Sequence, residues 1–148
     1  MVELSRKCCL RSGLLKGIIE DFPDDSEFPL NDVNAMTLLS VKSYLEHYEN
    51  TEPSVIERPL KSKNFAECVN DWDYEFLGED TNKIINLIMA ANYMDIKPLL
   101  ELACAKIGSK IMGITTESIK KEFDLDGIFT KEEEDLILTD KAYLEENL

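Results

Sequence analysis

The sequence predicts an α+β domain in which helices dominate, and three observations carry that prediction. The first is the stretch from Asp80 to Gly113, where two runs of helical periodicity meet at Asn92-Tyr93-Met94-Asp95. Nothing else in the chain is so apolar, so this pair reads as the core hairpin. The second is a further stripe, Leu38, Val41, Leu45 and Tyr48, at the spacing of one helix face. The third is how little strand signal there is. Only Val2-Glu3-Leu4 and Phe28-Pro29-Leu30 have strand character, and a segment that short needs a neighbour to pair with.

In chain order, Val2-Glu3-Leu4 alternates like a strand. Ser12 to Asp21 reads as a short helix with Leu14, Leu15, Ile18 and Ile19 inward, weakened by Gly17. Pro23-Asp24-Asp25-Ser26-Glu27 forms an acidic turn. Phe28-Pro29-Leu30 suits a sheet edge, where a proline gives up no ladder bond. Asp32 or Asn34 then caps a helix that runs to about Tyr48. From Glu49 to Asn70 periodicity disappears and Pro53 and Pro59 interrupt the chain, leaving a long loop of the kind that is either functional or disordered. Asp71 to Leu77 is a short aromatic turn expected to anchor the hairpin from below.

The hairpin follows. Ile84, Ile85, Ile88 and Ala91 are expected on one face of its first helix, and Ile96, Leu99, Leu100, Ala103, Ile107 and Ile111 on one face of its second. Asp95 can cap the second helix by accepting a bond from a first-turn N–H. Pro98 sits where a missing N–H costs little, and Gly113 suits the left-handed residue that ends the helix. Three short segments come after, Thr115 to Phe123, Thr130 to about Leu138, and Asp140 to Asn147. Thr130 and Glu133 have the spacing of a capping box. Helices so short and so sparsely apolar must be held by packing, against the hairpin or against partner helices.

Composition narrows the function. A chain of 148 residues is one domain-sized unit, and 44% apolar content is too much for an acidic disordered chain. A net charge of −14 repels phosphate backbones and anionic lipid, which excludes nucleic acid and membrane surfaces as expected partners. The start of the chain lacks the apolar run of a signal peptide, and no stretch has the apolar length of a membrane span. Cys8, Cys9, Cys68 and Cys104 show no CxxC spacing, so buried free thiols in a reducing compartment are expected. His47 is the single histidine, expected to be solvated at a helix end, with no nucleophile motif beside it. Phosphate-binding glycine motifs are missing too, so no catalytic residue, metal ligand or cofactor is assigned, and an enzyme is not expected. One alternative stays open. Glu122 to Glu133 approximates a calcium-binding loop, with oxygen ligands at loop positions 3, 5, 9 and 12 and Gly127 at position 6. Glu122, however, stands where the shorter Asp is needed.

Four ordered motifs then bring in a family. They are Pro29-Leu30-Asn31-Asp32-Val33-Asn34, Trp72 to Leu77, Ala90-Ala91-Asn92-Tyr93-Met94-Asp95-Ile96-Lys97, and Phe129-Thr130-Lys131-Glu132-Glu133-Glu134. Together they closely resemble the S-phase kinase-associated protein 1 family, whose members link a cullin to F-box proteins in SCF-type ubiquitin ligases. The resemblance implies a BTB/POZ-like cullin-binding domain over residues 1–112, with a small sheet, and a C-terminal helical extension over residues 113–148 that docks F-box helices. It implies cullin contacts at Asn92, Tyr93, Val33 and Asn34. It implies F-box contacts at Ile107, Ile111, Ile119, Phe123, Phe129, Leu136 and Tyr143. The function implied is a non-catalytic adaptor in the ubiquitin-conjugation pathway, cytoplasmic and nuclear. The alternative within the family is a structural F-box-binding subunit of a kinetochore or another non-ligase assembly. Three departures stand out. The family's opening β-hairpin is missing ahead of Val2, so the sheet is expected to be one hairpin short with an exposed edge. Thr116 replaces a proline that is hydroxylated in some members. Tyr143-Leu144 replaces a Trp-Cys pair, which keeps an aromatic anchor.

Overall fold

The computed structural model describes residues 2–25, 27–115, 118, 121, 123, 130–133, 135 and 136. The chain divides into two compact units, Met1–Met112 and Gly113–Leu148. The first unit is built from six helices: α1 Arg6–Cys9, α2 Gly13–Asp21, α3 Ala35–His47, α4 Asp71–Leu77, α5 Thr81–Tyr93 and α6 Lys97–Ile111. A 3-10 turn, Phe65–Glu67, lies between α3 and α4.

Side-chain caps explain where most of these helices start. The Ser5 hydroxyl accepts from Cys8 N at 3.1 Å, Ser12 from Leu15 N at 3.2 Å, and Asn34 from Thr37 N at 2.8 Å. Asn70 accepts from Asp73 N at 2.8 Å, and Asp80 from Asn82 N at 2.9 Å and Lys83 N at 3.2 Å. Each satisfies a first-turn donor that the helix itself leaves unpaired. Only α6 starts without one; its N-cap is Ile96 and a proline occupies its first turn. In the second unit Thr130 N donates to Glu133 Oε2 at 2.8 Å and Glu133 N to Thr130 Oγ1 at 3.3 Å, the expected capping box.

The α5–α6 hairpin forms the centre of the first unit, with α3 packed on α5. Val41 and Leu45 from α3 meet Ile84, Leu87 and Ala91 from α5, and Met94, Ile96, Leu99 and Ala103 complete the buried cluster. The 49–70 segment is packed rather than detached, because Ile56 and Phe65 are buried against the same cluster. Under the hairpin, Trp72 stacks on Phe76 at 5.0 Å between ring centres, and His47 stacks on Trp72 at 3.6 Å. His47 is exposed, so its ring shields the half-buried indole at a helix end. Deeper in, Asp73 accepts from the Tyr48 hydroxyl at 2.8 Å and from Asn70 Nδ2 at 2.8 Å. Lys106, only 3% exposed, donates to Glu79 at 2.5 Å with its ammonium over the Tyr74 and Phe65 rings, at 4.7 and 5.1 Å. An ion pair plus two ring faces satisfies a lysine that burial alone would penalise.

Several expectations change. Among the described residues no strand forms: residues 2–4 and 28–30 run as irregular chain. The coarse prediction of a predominantly helical fold stands. Asp95 does not cap α6. It adopts a left-handed φ of 49° and its carbonyl accepts from Gly13 N at 3.0 Å, so it closes the turn from the outside. Ile85 points out of the core, 37% exposed, because the buried arc of α5 is centred on Ile84, Leu87 and Ala91, and Ile85 lies about 100° round from Ile84. Ile111 is exposed as well, at the last turn of α6. Cys104 is exposed beside the buried Ala103, whereas Cys8 is buried and Cys9 and Cys68 are half-buried; all four are free. Gly113 takes the expected left-handed φ, 73°. No helix among the described residues is long and apolar enough to cross a membrane.

Candidate partner-binding surface

Helix α5 has an apolar buried face and an uncharged exposed one. Its exposed stripe, Asn82, Ile85, Asn86, Met89, Asn92 and Tyr93, carries no charged side chain, although 31% of the chain is charged. Met89 is 65% exposed and Tyr93 38%. The stripe ends at the turn into α6, where Met94 and Ile96 are fully buried and Asp95 is exposed. With those two fixed in the core, Asn92 and Tyr93 are left outward at the corner.

The corner is held from outside the hairpin. Ser12 Oγ donates to the Met94 carbonyl at 2.5 Å, Leu14 N donates to the same carbonyl at 3.3 Å, and Gly13 N donates to that of Asp95. Within the hairpin, Met94 N donates to Ala90 O and Ile96 N to Ala91 O, both at 2.8 Å. The Asp95 carboxylate borders the neutral stripe at the corner, and the Asp80 cap stands at its other end. The perturbed acids lie elsewhere. Burial raises the pKa of Asp73 despite its two donors. The hydrogen bond from Lys106 lowers that of Glu79. Burial beside the Asp73 carboxylate pushes the Tyr44 phenol up.

Other sequence-predicted positions are differently placed. Val33 is buried, and Asn34 is exposed with its side-chain carbonyl engaged as the α3 cap. Ile107 is half-buried against the hairpin core. In the second unit Phe123 is half-buried and Leu136 is 64% exposed. Ile119, Phe129 and Tyr143 lie outside the described residues, as does most of the calcium-like loop 122–133. No group of potential metal ligands occurs among the described residues. Sequence reasoning missed Ile85 and Met89, since an apolar residue on an apolar helix reads as core. The charge-free spacing of 82, 85, 86, 89, 92 and 93 was the signal available.

Known proteins give the chain its family. The S-phase kinase-associated protein 1 homolog of Tetrahymena thermophila is 36% identical over 147 residues, spanning 99% of this chain and 89% of that protein. The chain belongs to the Skp1 family. Residues 97–143 match the family's dimerisation domain, a match that starts at the first residue of α6 and continues into the second unit. Two more Skp1-family relatives are each named E3 ubiquitin ligase complex SCF subunit sconC. That of Arthroderma benhamiae is 34% identical, over 98% of this chain and 89% of its own length. That of Emericella nidulans is 34% identical, over 98% of this chain and 90% of its own length.

Proposed function

We propose that this Skp1-family chain is a non-catalytic adaptor of an SCF-type ubiquitin ligase, in which a BTB/POZ-like body binds a cullin and the C-terminal extension binds an F-box protein. Such an adaptor performs no bond chemistry. It holds a substrate receptor on the scaffold that carries the ubiquitin-charged enzyme, so transfer proceeds at a high effective concentration. The observation that carries this reading is the outward face of α5, a neutral stripe that ends at Asn92 and Tyr93. Interface cores are depleted of charge and enriched in methionine and aromatic side chains, as this stripe is. The F-box side rests on Ile107, Ile111, Ile119, Phe123, Phe129, Leu136 and Tyr143, positions that the family resemblance implies.

Affinity purification of the tagged chain from native cells tests the reading. The unsubstituted chain is expected to bring down both a cullin and F-box proteins. Asn92→Lys with Tyr93→Lys is expected to lose the cullin and keep the F-box proteins. F-box proteins without a cullin, from the unsubstituted chain, would instead indicate a subunit of a non-ligase assembly.

A further inference from the structure

We infer that Ser12 and Gly13, at the start of α2, are positioning residues for the partner face at the α5–α6 corner, a role that rests on reading Asn92 and Tyr93 as cullin contacts. The first N–H groups of a helix have no partner within it. In α2 two of them, from Gly13 and Leu14, go to the carbonyls of Asp95 and Met94, at 3.0 and 3.3 Å, far away in the sequence. The same groups form the positive end of the helix dipole and suit carbonyl oxygens. Ser12 has no accessible surface and works in both directions. Its hydroxyl donates to Met94 O while accepting from Leu15 N, so one side chain starts α2 and fixes the turn.

Gly13 lets Asp95 lie against the helix. A Cβ at Gly13 would stand 2.0 Å from Asp95 Oδ2, 2.7 Å from its Cγ and 2.9 Å from its Cβ. Asp95 itself holds a left-handed φ that non-glycine residues keep only where the surroundings impose it. The brace is tied down at its other end. Cys8 Sγ donates to Leu45 O at 3.4 Å, and Arg11 Nη2 donates to Thr51 O at 3.0 Å and to Glu52 at 3.1 Å. The N-terminal helices thus span from the end of α3 to the corner. If the turn relaxed, Tyr93, two residues before Asp95, would no longer project from a fixed point.

The test measures cullin affinity and F-box affinity on the same full-length chain, for Ser12→Ala, Ser12→Thr, Gly13→Ala and Gly13→Ala with Asp95→Gly. Loss of one buried hydrogen bond predicts cullin binding weaker by about tenfold in Ser12→Ala. F-box affinity should be unchanged, and Ser12→Thr, which keeps the hydroxyl, should bind as the unsubstituted chain does. Gly13→Ala should lose at least as much, and adding Asp95→Gly, which removes the obstructing side chain and suits the positive φ, should restore most of it. Should Gly13→Ala not fold, the Ser12→Ala and Ser12→Thr pair decides alone. Unchanged cullin affinity in Ser12→Ala overturns the brace, provided Asn92→Lys with Tyr93→Lys abolishes binding in the same assay. Unchanged binding in that double variant overturns the partner face itself. Equal losses of cullin and F-box affinity would reduce the brace to a general stabilising contact and overturn the positioning role.

Discussion

One face of α5 is apolar and closed, whereas the other is uncharged and open. Ile84, Leu87 and Ala91 have no accessible surface, whereas Met89 is 65% exposed and Ile85 37%. Large apolar side chains left exposed together on an uncharged face suit an interaction surface. Here α3 and α6 pack on one side, and among the described residues Ile85 and Met89 stay exposed on the other. Under the function proposed above, substitution separates the two faces: inward changes should cost stability, outward changes should cost binding.

The largest effect is expected on the inward face. Leu87→Ala removes a fully buried side chain and should lower unfolding free energy by about 2–5 kcal/mol, read as a lower urea midpoint. A loss below about 1 kcal/mol would mean that this face is not core. Next is the polar cluster beneath the hairpin. Tyr48→Phe removes the 2.8 Å donor to buried Asp73 and should cost about 1–2 kcal/mol, since Asn70 still satisfies part of that carboxylate.

The smallest effect is one of pH. Lys106 holds the Glu79 carboxyl below its usual range, so its stabilisation is present above the unfolded pKa and is lost as pH falls through the folded one. Urea midpoints from pH 6 down to about pH 3 should therefore fall less for Glu79→Gln than for the unsubstituted chain. Asp73 has the opposite sign. Burial raises its pKa, so its contribution is present at low pH and lost as pH rises, and Asp73→Asn should lessen that loss.

What could be read in advance follows how local each cause is. The cap at Asn34, the capping box at Thr130 and Glu133, and the left-handed Gly113 each depend on neighbours within a few residues, and all were legible. The role of Asp95 was not, because the group that claims its carbonyl, Gly13 N, comes from the far end of the chain. The short helix α1 was missed for lack of any periodicity in four residues. Asn70 and Asp80 have cap chemistry too, and they start α4, where the sequence predicts a turn, and α5, the first helix of the hairpin. At the corner, the break in apolar pattern at Asn92 and Tyr93 was visible, and family motifs gave it a role. Met89 was hidden because burial, not residue type, distinguishes a core methionine from an interface one.

The separation of the two α5 faces is tested most directly by Met89→Glu, with cullin affinity and urea midpoint measured on the same preparation. A charge in the middle of the neutral stripe should weaken cullin binding by at least about tenfold. The urea midpoint should stay nearly where it was, as for a surface change worth about 0.5 kcal/mol or less. Full cullin affinity in the folded Met89→Glu chain would contradict the account.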